Sequence, residues 1–331
     1  METKKVLVTG GTGFLGSHLC FKLQKLGYEV ISLSRRPGEE LNDVGIKQVQ
    51  IDLSSPNTDL DEVVKSVDVI FHTAGKVGMW GAWEEFYQVN YIGTQNLVDS
   101  AKRNGIRHFI YTSTPSVVFD NHDIQGGNED LPYAKRSKSL YARSKILAEQ
   151  YVLMNTDDQF KTVALRPHLI FGPGDQNLIP RIIAKAQAGR LRKIGDGKNK
   201  VDVIYIDNAV EAHIKAYEAL KNNSINVSGK AFFIAQEKPV ILWDFIDKVL
   251  ARYQLPKVQG RIPYFVAYMI ASLIEWVFKA FRITKREPPT TRFIVMQLAK
   301  SHYFSHKNAK TILGYEPKLN TDEAIKLLGV D

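Results

Sequence analysis

The sequence has almost no cysteine, no long apolar run and no block of one charge. Cys20 is the only cysteine among 331 residues, so no intrachain disulfide can form. That suits a reducing compartment, and a cytoplasmic protein is expected. No basic n-region and apolar h-region precede the first apolar run, Val6–Val8, so no signal peptide is expected. The apolar stretch Tyr264–Ile274 falls well short of the roughly 20 residues that cross a bilayer. The net charge is +9, yet the lysines and arginines form no long run and no nucleic-acid motif, so nucleic acid is not expected as a partner. An anionic ligand, a membrane surface or plainly solvated lysines remain as explanations of the charge. Internal repeats and low-complexity stretches are absent, and no metal site is expected.

What is present is a regular rhythm. The 44% hydrophobic fraction is ample for a core, which excludes a disordered chain. Val6–Val8, Val30–Leu33, Val49–Ile51, Val67–Phe71, His108–Thr112 and Val163–Leu165 read as strands. Helical patterns fall between them, around 14–26, 58–65, 83–103 and 139–155. This alternation predicts βαβ units and an α/β fold of the Rossmann type, a doubly wound parallel sheet with its ligand crevice at the carboxyl ends of the strands. The rhythm weakens after Phe171, where Gly172-Pro173-Gly174-Asp175 signals a loop. A helix is expected over 176–189, short strands over 201–206 and 231–235, and a helix over Asp207–Leu220. Residues 1–170 are therefore expected to bind a dinucleotide. Residues 171–331 are expected to be mainly substrate-binding, with 201–220 and 231–235 as candidates to return to the core.

Thr9-Gly10-Gly11-Thr12-Gly13-Phe14-Leu15-Gly16 follows a strand and opens a helix. In that context glycines permit a tight turn and let backbone N–H groups approach a pyrophosphate, while the helix amino terminus favours its charge. Gly10, Thr12, Gly13, Phe14, Leu15 and Gly16 are the candidate cradle. The second strand ends in Leu33-Ser34-Arg35-Arg36, with no acid to bind a ribose 2′-hydroxyl. Two guanidinium groups suit a 2′-phosphate instead, so NADP(H) is favoured, with NAD(H) as the alternative if both arginines are merely solvated. Asp52 is a candidate for the adenine amino group. Thr73, Ala74 and Gly75 would lie beside the ribose, and His72 reads as structural.

Tyr141 and Lys145 sit one helical turn apart, on one face. The lysine charge is expected to favour phenolate and lower the tyrosine pKa, so that Tyr141 can exchange a proton with a carbonyl as hydride moves. Lys145 can also hold the nicotinamide ribose. The helix is expected to pack through Leu140, Leu147, Tyr151 and Met154, leaving Tyr141 and Lys145 on another face. A hydroxyl is expected at the end of the fifth strand to bind the substrate oxygen, from either Ser113 or Thr114, which alternation points to opposite sides.

Residues 262–281 are apolar and aromatic, interrupted by Glu275 and Lys279 and followed by Arg282, Lys285 and Arg286. They read either as a buried helix of the substrate region or as a helix that lines a greasy pocket and touches a membrane interface.

In these motifs the chain resembles the extended short-chain dehydrogenases/reductases. Thr-Gly-x-x-Gly-x-x-Gly, Asp52-Leu53, Asn90 within Val89–Asn96, the Thr112-Ser113-Thr114 strand end and Tyr141-x-x-x-Lys145 match in order. So do Leu165-Arg166-Pro167, Gly172-Pro173-Gly174 and Tyr205–Ala209. Tyr111–Phe119, Leu165–Asp175, Ser301–Ser305 and Leu313–Pro317 resemble the 3β-hydroxysteroid dehydrogenase branch. Within it the likeness is strongest to bacterial 2-alkyl-3-oxoalkanoate reductases of long-chain olefin synthesis, with sterol-4-carboxylate 3-dehydrogenases as the near alternative. The resemblance implies Thr114 at the catalytic hydroxyl position, Tyr141 as acid/base and Lys145 as its partner. It also implies Asn90 as support for the active-site helix, Leu53 beside the adenine, Pro167 at the nicotinamide and a homodimer. Two departures stand out. Arg35-Arg36 replace the acid of most steroid enzymes, and threonine at 114 restricts the hydroxyl rotamer.

The expected activity is interconversion of a 3-oxo and a 3-hydroxy group on a large apolar substrate, most simply NADPH-dependent reduction of a 2-alkyl-3-oxo fatty acid. A sterol or steroid 3β-hydroxy dehydrogenase is the alternative enzyme. A non-catalytic NADP sensor is the alternative of another class, against which the complete Thr114, Tyr141 and Lys145 set argues. The apolar carboxyl-terminal region argues against a sugar-nucleotide epimerase. The expected partner is an apolar small molecule, with membrane contact through 262–286 left open.

Overall fold

The computed structural model describes residues 4–55 and 58–329. Seven strands form the central sheet: β1 (Lys5–Thr9), β2 (Glu29–Ser34), β3 (Lys47–Gln50), β4 (Val69–His72), β5 (His108–Thr112), β6 (Lys161–Pro167) and β7 (Lys230–Ile234). Their order is β3-β2-β1-β4-β5-β6-β7, and every pairing is parallel. The order reverses between β1 and β4, which opens a crevice at their carboxyl ends. The α/β fold expected from the alternation is the one observed.

The strands read as continuous apolar runs because both faces of the sheet are covered. In β1 successive residues feed opposite cores: Val6 and Val8 join the cluster that includes α1 (Phe14–Lys25), while Leu7 joins the other. Helix α1 buries Leu15, Leu19 and Leu23 at one-turn spacing, with Cys20 beside them. Burial pushes the Cys20 thiol up to about 12, so it packs as a small apolar group.

The long 83–103 pattern is helical but interrupted. A π-helical turn, Tyr87–Ile92, precedes α2 (Gly93–Arg103). Helix α3 (Leu140–Met154) carries the Tyr141–Lys145 pair. Its packing corrects the expectation. The buried face is Ala142, Lys145, Ala148, Glu149 and Val152, and Met154 is 83% exposed. Polar residues occupy this face because β5 and β6 supply partners for them, as described below.

The carboxyl-terminal half contributes α4 (Leu178–Gln187), α5 (Ile206–Asn222), α6 (Leu242–Arg252), α7 (Tyr264–Ala280) and α8 (Arg292–Ala299). The 201–206 segment divides into two short strands: Lys200–Val201 lies in a four-stranded sheet with Val240–Ile241, His302–Phe304 and Ile124–Gly127, whereas Ile204–Tyr205 pairs with Ile170–Phe171. Strand β7 returns to the edge of the main sheet, and α5 packs on β5 and β6.

Helix α7 does not match a buried helix. Its inward residues are Ala267, Ala271 and Glu275, while Phe265, Met269, Leu273 and Trp276 face solvent. Glu275 is held by Arg292 of α8, which donates to it from Nε, Nη2 and the backbone N at 2.9, 2.7 and 2.6 Å. Among the described residues no helix is long and apolar enough to cross a membrane.

Candidate active site

The glycine turn is shaped by contacts that leave no room for side chains. Gly10 has φ +70, and a Cβ there would lie 2.8 Å from the Ala74 backbone. A Cβ on Gly16 would collide with the Gly10 carbonyl oxygen, so only glycine lets α1 start this close to the sheet. Helix α1 begins after Gly13 with no side-chain cap, which leaves first-turn N–H groups directed at the crevice. These features fit a dinucleotide pyrophosphate. The Thr12 N–H is engaged by Ser34 Oγ at 3.2 Å, tying the turn to the end of β2. Phe14 stacks edge-on against His18 at 5.5 Å, and the Leu15 side chain turns into the core.

Arg35 and Arg36 are exposed at the end of β2, with no carboxylate in Leu33–Arg36. Asp52 is exposed after β3 and accepts from the Ser54 N–H at 3.0 Å and hydroxyl at 2.6 Å. The Ser54 hydroxyl bond holds its carboxyl below the usual range, the backbone bond adds to this, and Arg35 contributes at a distance. Leu53 buries its side chain against α2, so only its backbone faces outward.

The loop after β4 is fastened to β1. Thr73 Oγ1 donates to the Thr9 carbonyl at 2.7 Å, and the Ala74 N–H reaches Thr9 Oγ1 at 3.3 Å. His72 lies between Thr9 Oγ1 at 2.6 Å and Thr94 Oγ1 at 2.8 Å. Thr94 donates to the Asn90 carbonyl, so its oxygen accepts from Nε2–H and His72 Nδ1 accepts from Thr9. Burial pushes the His72 pKa down to about 3, and the neutral ring is structural.

Asn90 sits in the π-helical turn and joins both halves of the site. Its Oδ1 accepts from the Lys76 N–H at 2.7 Å, next to Gly75. Its Nδ2 donates to the Lys76 carbonyl at 3.0 Å and to Ser144 Oγ at 2.9 Å, and Ser144 in turn donates to the Tyr141 carbonyl. Such π-turns recur at functional sites.

At the end of β5 the two hydroxyls diverge. Ser113 Oγ is buried without a hydrogen-bond partner among the described residues. Thr114 lies near the Tyr141 hydroxyl, and its Oγ1 donates to Ser116 Oγ at 3.3 Å and accepts the Ser116 N–H at 3.2 Å, capping the 3-10 turn Pro115–Val117. Tyr141 is half-buried, and its hydroxyl lies deep. Burial pushes that hydroxyl up to about 12, opposed by the nearby Thr114 hydroxyl. This corrects the expectation that Lys145 lowers it. The Lys145 ammonium is itself brought down to about 7 by burial, with Glu149 opposing, and so is only partly charged near neutrality. It donates to the Thr112 carbonyl at 2.7 Å and lies 4.1 Å from the centre of the Tyr111 ring.

Four supporting side chains had no role assigned in the sequence reading. His213 of α5 donates from Nδ1 to the Ala209 carbonyl at 2.7 Å, so its Nε2 accepts from the Thr112 hydroxyl at 2.8 Å. Glu149 is fully buried and takes a bidentate bond from Arg166 (3.1 and 2.6 Å) and a third from the Tyr133 hydroxyl at 2.8 Å. A glutamate one turn beyond Lys145 and an arginine before Pro167 were visible signals, but their pairing spans two distant segments. Pro167 closes β6, buried, with Leu169 at φ +46 just beyond it.

All these residues lie along the carboxyl edge of the sheet. A surface groove of about 960 Å³ lined by Lys4, Asp68, His108 and Lys161 opens at the opposite edge and contains none of them. Among the described residues no cluster could hold a metal ion.

Residues 7–263 match the 3-beta hydroxysteroid dehydrogenase/isomerase family. A 2-alkyl-3-oxoalkanoate reductase of Stenotrophomonas maltophilia (strain K279a) is 41% identical, covering 98% of each chain. A decarboxylating sterol-4-alpha-carboxylate 3-dehydrogenase of Mus musculus is 37% identical over 98% of this chain and 90% of its own. Among solved structures, UDP-glucuronic acid 4-epimerase from Bacillus cereus in complex with NAD has a TM-score of 0.75 at 23% identity, covering 98% of this chain and 96% of its own, a likeness of fold.

Proposed function

The chain belongs to the 3-beta hydroxysteroid dehydrogenase/isomerase family, and on that premise we propose that it reduces the 3-oxo group of a 2-alkyl-3-oxo fatty acid with NADPH. It is an NAD(P)-dependent oxidoreductase. The observation that carries the reading is the shared placement of Thr114 at the end of β5 and of Tyr141 and Lys145 one turn apart on α3, on the same sheet edge as the glycine cradle. When bound, the nicotinamide supplies hydride to the carbonyl carbon. Tyr141, kept protonated by its raised pKa, gives its proton to the carbonyl oxygen as the secondary alcohol forms. Thr114 donates a further hydrogen bond where negative charge develops. Lys145, tied to the Thr112 carbonyl, would hold the nicotinamide ribose, and Asn90 would position the helix.

Residues 1–170 serve mainly the cofactor and 171–331 mainly the substrate in this reading. Preference for NADP(H) over NAD(H) is supported by exposed Arg35 and Arg36 and by the missing acid at the end of β2. Gly10, Thr12, Gly13, Phe14, Leu15 and Gly16 would hold the pyrophosphate. Asp52 and the Leu53 backbone would meet the adenine, Thr73, Ala74 and Gly75 the ribose, and Pro167 the nicotinamide. The relative from Stenotrophomonas supports the substrate class. Its mouse counterpart supports a second reading, a sterol 3-dehydrogenase. Contact of 262–286 with a membrane belongs to the same proposal, and a homodimer would use another face.

Nicotinamide absorbance tests both readings side by side. NADPH with a long-chain 2-alkyl-3-oxo acid should be consumed rapidly, and NAD+ or NADP+ with a 3β-hydroxysterol should not be reduced. Turnover with the sterol alone would replace the first reading by the second. Arg35→Ala combined with Arg36→Ala should weaken NADPH by about tenfold or more and NADH little. Equal losses would remove the 2′-phosphate argument.

A further inference from the structure

The segment that joins β2 to β3 carries its charges in two opposed groups. Arg35 and Arg36 come first, Glu39 and Glu40 follow, and Asp43 closes the one-turn helix Glu39–Asp43. All five side chains are exposed. Two cations against three carboxylates leave the segment net acidic, so its composition alone would repel a phosphate. A phosphate is favoured here only where the arginine pair is held in place independently of the acids. Charges in water are screened within about 8–10 Å, so a few ångströms of placement decide which group dominates.

Gly38 lies between the two groups, and one side chain grips it. Gln48 Oε1 accepts the Gly38 N–H at 2.8 Å, and Gln48 Nε2 donates to the Gly38 carbonyl at 2.9 Å. The amide thus closes a ring on both polar groups of one residue, as an antiparallel strand would. Its other N–H goes to Asn42 Oδ1 at 2.5 Å, inside the one-turn helix. Both donors and the oxygen are engaged, which fixes the direction in which the amide faces.

The sheet places Gln48 for this. Val30 joins the cluster under α1 while Ile31 and Leu33 join the other, so Ser32 and Ser34 face α1 and the glycine turn. Gln48 is the register partner of Ser32 and rises on the same face. On its other side Gly38 meets the cradle itself, since a Cβ there would lie 3.1 Å from Thr12 Cγ2. Ser34 Oγ already holds the Thr12 N–H at 3.2 Å. Arg35, Arg36 and Pro37 therefore form a three-residue span fastened to Thr12 at both ends, and the proline ring fixes one of its φ angles. Among the described residues neither guanidinium is tied up in a hydrogen bond or ion pair.

We propose that Gln48 is a positioning residue for cofactor choice: its clamp on Gly38 holds Arg35 and Arg36 beside the glycine cradle for a ribose 2′-phosphate, and releasing it lets the neighbouring acids offset them. The inference rests on the NADP(H) reading above.

Cofactor binding to the full chain without substrate, followed by isothermal titration calorimetry, tests this. Gln48→Met keeps the length of the side chain and loses all three hydrogen bonds. It should weaken NADPH about tenfold and NADH by less than about twofold. A clamp that only stabilised the turn would weaken both alike, so equal losses, or no loss of NADPH, would overturn the proposal. Asn42→Ala removes only the outer bond and should give the same selective loss, about threefold. Gln48→Met placed in the Arg35→Ala, Arg36→Ala background separates the inference from the reading it rests on. There it should weaken NADPH no further, because its effect runs through the arginines. A further loss of about tenfold in that background would show Gln48 acting on another part of the cradle, and would also overturn the proposal. If the arginine pair itself proves indifferent to the 2′-phosphate, the NADP(H) reading fails and takes the inference with it. If the arginines discriminate and Gln48→Met does not, only the inference is lost.

Discussion

Helices α3 and α7 break the same rule in opposite directions. An ordinary surface helix buries apolar residues and exposes polar ones. Helix α3 buries Lys145 and Glu149 and exposes Met154, whereas α7 buries alanines and a paired glutamate and exposes phenylalanine and tryptophan. In α3 the misplaced polarity is satisfied from within, by Thr112, Arg166 and Tyr133. In α7 the misplaced apolarity meets no protein partner among the described residues. The first pattern is the one proposed above as a reaction centre, because buried charge is where pKa values move. The second points outward, to whatever the helix meets.

Breaking the inner pattern should have the larger consequences. Tyr141→Phe removes the proposed proton donor, and kcat should fall about a thousandfold with NADPH binding nearly intact. Retained turnover would show that another group supplies the proton. Glu149→Leu should cost about 3–5 kcal/mol of stability in urea unfolding, because it strands the Arg166 guanidinium in the core. A loss within ordinary surface values would mean that water reaches the pair. Acid should act on the same interior. His72 and His213 are held neutral by burial, titrating at about 3 and about 4 in the fold against about 6.5 unfolded. Below about pH 6.5 the unfolded chain binds protons that the fold refuses, so stability is full above that pH and falls towards the folded values. Unfolding free energy measured at about pH 7 and about pH 5.5 should differ by roughly 1 kcal/mol for each histidine. An unchanged urea midpoint would contradict their burial as neutral rings. The outer pattern should be nearly silent in the same assay. Met269→Ser and Leu273→Ser should each change stability by less than about 0.5 kcal/mol. A loss of about 2 kcal/mol or more would mean that the row is covered in solution.

The difference between the helices also marks where the sequence could be read. Strands β1 to β6 and the glycine turn are local signals, set by apolar runs and by backbone room that neighbouring residues announce. The packed face of α3 is not local. Leu147, Tyr151 and Met154 suggested one side, and the burial of Lys145 and Glu149 follows from Thr112, Tyr133 and Arg166, which arrive from β5, a loop and β6. Thr114 could not be chosen over Ser113 from alternation alone, because the choice depends on the 3-10 turn that Thr114 caps. His213 carried no signal beyond a histidine in an apolar helix, and its role appears only where α5 meets Thr112. For 262–281 composition allowed two readings, and the contacts of α8 decide which face turns inward.

One amide gives the site its mechanical unity. Asn90 grips the Lys76 backbone by both its N–H and its carbonyl, and through Ser144 it holds the first turn of α3. A strut of this kind removes an independent degree of freedom: the loop beside Gly75 cannot shift without carrying the Tyr141 end of the helix with it. In the proposed mechanism, cofactor grip and proton geometry are therefore inherited together, and a change that retunes one acts on both.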